Sequence, residues 1–274
     1  MRQFVIDTEP DSKGLFYISG KDYRYIRQVL RLTSGDMIKV CANGIQYDTT
    51  LCTIDESKKR ITLQICDTAD KEIPSVKLNP DRPEFYLLQI IAKPQKMELI
   101  IRQAVECGVT AVLPVIGEYT QKGTEKSLMQ KSGANERISR IIREARQQSG
   151  SPVDTKVFEP LTIREALKII SEKSEEVKAQ NKSSVCVSLY ERNEESVTMH
   201  EAVSADKNRK TGFAVIAVGC EGGISPDEIK TLKEAGFKTV HFDANILRCE
   251  TASLYGMASL QTTVMEGNKW LSKE

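Results

Sequence analysis

Val218-Gly219-Cys220-Glu221-Gly222-Gly223-Ile224-Ser225-Pro226-Asp227-Glu228 is the stretch whose reading decides the fold. An apolar run, Phe213 to Val218, meets a glycine-rich turn and then the chemistry of a helix start. Ser225 suits the N-cap and Pro226 the first helical position. Glu228 completes a capping box, in which serine hydroxyl and carboxylate each satisfy a backbone N–H left over at the helix start. Gly236 then ends the helix in the C′ role. Strand, tight turn and helix in that order form part of a parallel α/β sheet, where ligands gather at the C-terminal ends of strands. The glycines allow positive φ and close approach of backbone to a ligand. A plain β–α turn with no ligand fits the same residues, and the stretch alone leaves both readings open.

Outward from this turn, apolar runs alternate with helical periodicity. The runs are Phe85 to Ile91, Ala111 to Val115, Ser184 to Leu189, Phe213 to Val218 and Thr239 to Phe242. Helical patterns cover 95–107, 135–148, 162–180, 225–235 and 249–265. Such alternation predicts an α/β class with a mainly parallel sheet. Residues 1–72 differ: Phe4 to Ile6, Met37 to Val40, Tyr47 to Ile54 and Arg60 to Ile65 are short and rich in β-formers, with one helix near Lys21 to Leu32. They predict a small β-barrel, its turns at Ser34-Gly35-Asp36, Asn43-Gly44 and Asp55 to Lys58. Residues 73–83, with Pro74, Pro80 and Pro83, read as a linker to a second domain at 84–274. The polar stretch from Glu191 to Lys210 reads as a long loop.

Composition narrows the function. Apolar residues make up 40% and charged residues 28%, and the net charge is +1, so any basic surface must be local. No stretch reaches the roughly 18 apolar residues of a membrane helix, and no signal peptide opens the chain. A cytoplasmic protein with no membrane partner is expected. Seven scattered cysteines without a C-x-x-C pair argue for reduced thiols and no metal site. The dinucleotide pattern G-x-G-x-x-G, the phosphate loop, G-x-S-x-G and H-E-x-x-H do not occur, which disfavours NAD-linked, nucleotide-hydrolysing, nucleophile-elbow and zinc chemistry. His241 falls in an expected strand and reads as a core or rim residue.

Three further features carry chemistry. Asp243-Ala244-Asn245-Ile246-Leu247-Arg248-Cys249-Glu250-Thr251-Ala252-Ser253 follows a strand and opens the last helix. Helix-start charge explains Glu250, but Arg248 is unfavourable there unless something anionic or polar holds it. Arg24, Arg27 and Arg31 recur at i, i+3, i+7 in the short helix, and Arg137, Arg140, Arg143 and Arg146 every third residue in a later one. Each stripe fits a solvated face, yet two arginine stripes on a near-neutral chain favour phosphate contacts.

Taken together these residues resemble the bacterial 16S ribosomal RNA uracil-N3 methyltransferases, the RsmE family of the SPOUT superfamily. The likeness rests on Met-Arg-x-Phe at the start, Ile26-Arg27-Gln28-Val29-Leu30-Arg31-Leu32 with Gly35-Asp36, and Lys93 leading into Glu98 to Gly108. It continues through Arg143 to Gly150, Gly219 to Glu228 and Ile246 to Ala252. The resemblance implies a C-terminal SPOUT-type α/β domain with a trefoil knot, preceded by a PUA-like RNA-binding barrel, in a homodimer. It implies S-adenosylmethionine as cofactor and no metal. The cradle would comprise Leu189, Gly219, Glu221, Gly222, Gly223, Asn245, Ile246, Leu247, Arg248, Glu250, Thr251 and Ala252, with backbone groups holding adenine and ribose. The RNA contacts would be Arg2, Arg24, Arg27, Arg31, Lys93, Arg140, Arg143 and Arg146, on 16S rRNA of the small ribosomal subunit. Arg248 is the first candidate for stabilising charge on the uracil, and Glu221 the second catalytic candidate, for cofactor positioning or proton acceptance. Cys220, Ile224, Cys249 and Tyr25 stand where the family commonly has proline, phenylalanine, threonine and histidine. The alternatives are ribose 2′-O-methylation and a non-catalytic RNA-binding assembly factor.

Overall fold

The computed structural model describes residues 3–6, 8–42, 45–66, 81–128, 134–191, 196–204, 208–243 and 245–271. Arg2, the Asn43-Gly44 turn, positions 73–80 of the expected linker and Ala244 lie outside the described residues. The chain divides into two compact units, Met1–Pro80 with Arg146–Val153, and Asp81–Ala145 with Asp154–Glu274. A single cut at 73–83 therefore does not capture the organisation. Gln46 Nε2 donates to the Gly150 carbonyl at 3.0 Å, which ties this returning segment to the first unit's strands.

In the first unit, β1 (Gln3–Ile6), β2 (Leu15–Ser19), β3 (Met37–Ala42), β4 (Ile45–Asp55) and β5 (Arg60–Ile65) form one sheet in the order β1-β3-β4-β5-β2. Only β1 and β3 pair in parallel. A register shift between Leu51 and Thr53 lies in β4, where a bulge bends a strand. The sheet fits the small barrel expected from the sequence. Phe4, Phe16, Ile26, Leu51, Ile61 and Leu63 fill its core. Strand β2 is an addition to the sequence reading: Phe16 and Ile18 are buried and Tyr17 is exposed, the alternation of a half-buried strand. Helix α1 (Gly20–Arg24) runs into a π-helical segment, Tyr25–Leu30. The segment ends at Arg31, whose φ of 55° is left-handed. Tyr25 stacks on Phe4, with ring centroids 6.1 Å apart.

The second unit carries β6 (Glu84–Ile90), α2 (Pro94–Glu106), β7 (Ala111–Val115), a 3-10 turn (Thr124–Leu128), α3 (Ala134–Ser149), β8 (Lys156–Val157) and α4 (Ile163–Ala179). It continues with β9 (Ser183–Leu189), α5 (Met199–Val203), β10 (Thr211–Val218), α6 (Pro226–Glu234), β11 (Lys238–Val240) and α7 (Cys249–Leu271). Helix α3 crosses the division, since its residues from Arg146 onward belong to the first unit, and the chain returns to the second unit at Asp154. The strands form one sheet, β11-β9-β10-β6-β7-β8, and every pairing is parallel. All eight residues of β10 are buried, as a strand covered on both faces requires. Because β10 inserts between β9 and β6, the loops after β6, β9, β10 and β11 open at one end of neighbouring strands. Two expectations are corrected. The loop expected from Glu191 to Lys210 contains α5, started by a Thr198–Glu201 capping box. Helix α7 runs to Leu271 instead of 265. Among the described residues no helix is long and apolar enough to cross a membrane.

Candidate functional site

The turn after β10 is built by close backbone packing. A Cβ placed on Gly219 would lie 2.4 Å from the carbonyl carbon of Gly223, so no other residue fits there without moving the turn. Gly223 takes φ +81°, and its N–H donates to Cys220 O at 3.0 Å. Ser225 N–H donates to Glu228 Oε2 at 2.8 Å and Glu228 N–H to Ser225 Oγ at 3.3 Å, which is the capping box read from the sequence. Glu228 does more than cap: its Oε1 accepts from the Glu118 N–H at 2.8 Å, pinning the loop after β7 to the same turn.

A buried polar network fixes the neighbouring segments. Gln89, fully buried in β6, donates from Nε2 to Gly219 O at 3.0 Å and to Ile90 O at 2.9 Å. Its Oε1 accepts from Ser253 Oγ at 2.6 Å. One amide thus joins β6, the glycine turn and the first turns of α7, in a place where an unpaired polar group would be costly. The sequence reading passed over Gln89. Its signal was a lone polar residue inside an apolar strand run.

Charge collects at the same strand ends. Lys96 Nζ lies 3.0 Å from Glu250 Oε2 and 3.7 Å from Glu221 Oε1. Glu221 Oε1 also accepts from the Lys93 N–H at 3.3 Å. Burial opposes ionisation of Glu250, but hydrogen bonds from its own N–H, Lys96 and Cys249 outweigh it and hold the carboxyl below the usual range. The hydrogen bond to Glu250 raises the Lys96 ammonium above its ordinary value. Burial, reinforced by the bond to Glu250, pushes the Cys249 thiol up to about 12, so Cys249 stays protonated near neutral pH.

Over these loops lies a cavity of about 400 Å³. Leu189, Gly219, Glu221, Gly223, Asn245, Ile246, Leu247, Arg248 and Ala252 line it, together with Lys96, Glu191, His241 and the buried Cys220, Ile224 and Cys249. Gly222, Glu250 and Thr251 are not part of its wall. Gly222 instead packs on Tyr119, Glu250 holds Lys96, and Thr251 is exposed. His241 Nδ1 donates to Tyr190 O at 3.1 Å, which ties the ring to the cavity rim. Arg248 is exposed just before α7, and its guanidinium has no hydrogen bond or ion pair among the described residues. The anion that would justify an arginine at a helix start is not supplied by that part of the chain.

The arginine stripes are less uniform than their spacing implies. Arg24 and Arg31 are exposed, but Arg27 pairs with Glu56 at 3.0 Å and donates to Leu32 O at 3.1 Å. The π segment also breaks the α-helical spacing that placed these arginines on one face. In the second stripe Arg137 pairs with Glu98 at 2.7 Å and Arg140 lies 3.9 Å from Glu144. Arg143 is half-buried. Arg146 is a correction: it is only 7% exposed and donates from Nη2 to Cys41 Sγ at 3.7 Å, so it belongs to the packing of the first unit and not to a solvated face. The Lys93 side chain is exposed.

Comparison with known proteins follows the same lines. Residues 79–261 match the family model of the RNA methyltransferase domain. The chain is 24% identical over 259 residues to ribosomal RNA small subunit methyltransferase E of Bacillus subtilis (strain 168), covering 93% of each chain. It is 29% identical over 200 residues to the protein of that name from Aquifex aeolicus (strain VF5), covering 72% of this chain and 73% of the relative. The crystal structure of the Neisseria gonorrhoeae methyltransferase E bound to S-adenosyl methionine superposes with a TM-score of 0.72 at 25% identity, covering 96% of this chain and 97% of that one. A parallel sheet whose strand ends gather a glycine turn, a charge cluster and an open cavity is therefore the setting of a known chemistry, and the chain belongs to the RNA methyltransferase domain family.

Proposed function

We propose that this chain transfers a methyl group from S-adenosylmethionine to N3 of a specific uridine in 16S ribosomal RNA, in the assembled small subunit. The observation that carries the reading is Arg248, an unpaired guanidinium at the wall of a cavity built on the glycine turn. The residues present fit the cofactor. The cavity volume is in the range of small-molecule sites. Leu189, Ile224, Val240 and Leu247 offer apolar walls, and Gly223, where an added Cβ would meet only Glu191 Oε2 at 4.0 Å, leaves its backbone open. Leu189, the 219–223 turn and Asn245 to Ala252 would hold the cofactor.

When bound, S-adenosylmethionine supplies a methyl group already activated by its sulfonium. The chain must then orient the nucleophile and manage charge. Uracil N3 loses a proton as it reacts, and negative charge spreads onto O2 and O4. Arg248 would face those oxygens, where a cation is worth most once the bound RNA and cofactor exclude water from the site. Glu221 is engaged by Lys96 and the Lys93 N–H, which favours its positioning role over proton acceptance. The target base must be unstacked or already exposed to reach the cavity. A homodimer is also proposed: Leu254, Tyr255, Met265 and Trp270 on α7 are exposed, a surface that a second copy would cover. The knot, the cytoplasmic location and the RNA-binding role of the first unit belong to the same proposal.

Incubation with labelled cofactor and unmethylated small subunits, followed by mass spectrometry of the digested RNA, tests the reading. N3-methyluridine is the expected product. A ribose 2′-O-methyl product would replace the base reaction, and no cofactor binding in calorimetry would favour a non-catalytic assembly factor. On the RNA side, Arg140→Ala with Arg143→Ala should weaken subunit binding and make its salt dependence shallower by up to about two released counterions. An unchanged slope would show that this stretch of α3 is only a solvated face.

A further inference from the structure

Helix α2 starts against the usual electrostatic rule. Its N-cap is Lys93, its third position is Lys96, and its first turn contains no acidic residue, although a helix N-terminus favours negative charge. The missing acids come from distant parts of the chain. Glu221, from the glycine turn, accepts the Lys93 N–H and lies 3.7 Å from Lys96. Glu250, from the first turn of α7, lies 3.0 Å from Lys96. The Glu250 side chain is 15% exposed and that of Lys96 28%, so the pair is partly shielded from water. Among the described residues, the Cys249 thiol, its Sγ 3.8 Å from Nζ, is the other titratable group acting on the ammonium.

We infer that Lys96 is a positioning residue for methyl transfer, whose ammonium holds Glu221 and Glu250 together and so fixes the glycine turn and the α7 entry around the cofactor cavity. The inference rests on the cofactor reading above, but the charge cluster exists independently of it. Without the ammonium, the two carboxylates that flank it lose their shared cation, while the Cys249 thiol, the Lys93 N–H and Glu250's own N–H remain beside them. The burial of Glu250 and the nearby Glu221 charge then favour the protonated form of Glu250, the reverse of its present state.

The test uses the full chain with Lys96→Met and Lys96→Arg. At pH 8, Lys96→Met should bind S-adenosylmethionine roughly tenfold more weakly, the factor expected for one lost charge-assisted contact. Its affinity should recover as pH falls toward 5.5, because protonation relieves the repulsion, while the unsubstituted chain stays nearly flat. Lys96→Arg should restore most affinity and the flat profile. A flat profile for Lys96→Met, or an arginine variant no better than methionine, would overturn the inference. Thermal melting supplies a readout without cofactor. Glu250 ionised beside Lys96 stabilises the native chain above its unfolded-state range, and this is lost as pH falls through its lowered folded value. The melting deficit of Lys96→Met should therefore be largest near pH 7 and shrink as pH falls below 4.5; a deficit that stays constant through that range also overturns the inference. If the unsubstituted chain binds no S-adenosylmethionine yet the deficit shrinks as stated, the cofactor reading fails and the charge cluster stands.

Discussion

Arg248→Ala should fold, bind S-adenosylmethionine within a fewfold of the unsubstituted chain, and lose about 100-fold or more in kcat for methylation of small subunits, the scale of removing one donor from a developing oxyanion. The side chain is exposed and makes no hydrogen bond or ion pair among the described residues, so its loss should leave the melting temperature nearly unchanged. The carbonyl of Arg248, which accepts the Ala252 N–H at 2.8 Å and starts α7, is untouched by the substitution. If the effect fell on KM with kcat intact, Arg248 would be a substrate-binding residue that acts equally in ground and transition states. Near-normal turnover would remove it from the chemistry. Arg248→Lys separates charge from shape, because an ammonium keeps the charge but loses the planar fork that could span two carbonyl oxygens.

Gly219→Ala should act by a different route and abolish measurable cofactor binding. The new methyl group would lie 2.4 Å from Gly223 C and 2.7 Å from Gly223 Cα and O, all backbone atoms of the same tight turn. Relief requires the turn to open, at a cost of about 1–3 kcal/mol for overpacking. Opening would also pull the Gly219 carbonyl from Gln89 and disturb the buried link to Ser253. Calorimetry and thermal melting read the two consequences separately. Gly267→Ala is the control: a Cβ at that position in α7 meets nothing within 4 Å, and alanine suits a helix interior better than glycine by about 0.5–1 kcal/mol. That variant should bind cofactor normally and melt no lower than the parent. Equal loss in both variants would mean that alanine at Gly219 does not act through the turn.

Local rules made much of this protein readable. Ser225, Pro226, Glu228 and Gly236 announced α6 at both ends, and the structure places a capping box and a positive-φ glycine at those positions. The apolar runs gave five of the strands, because a parallel strand covered on both faces is a near-continuous apolar segment. Other local signals were present but passed over. Leu15 to Ser19 alternates between Gly14 and Gly20, and Thr198 with Glu201 repeats the capping-box pattern inside a stretch that looked polar. The π segment from Tyr25 to Leu30 has no comparable signature, since one extra residue per hydrogen bond leaves the side-chain types unchanged. The arginine spacing likewise says nothing about Arg146, which is buried in the first unit with its guanidinium on Cys41.

The sequence by itself determined the α/β class, the small β unit before it, the glycine turn and the singular place of Arg248, because these follow from periodicity, capping and backbone freedom over a few residues. Tertiary structure alone decided that Gln89 holds the turn to Ser253, and that Glu221 and Glu250 supply the charge missing from the start of α2. Those partners stand more than a hundred residues apart in the chain. They meet because β10 inserts beside β6, which brings the ends of distant strands together. A polar group buried there is costly without a partner, but only the order of the strands says which residue that partner is.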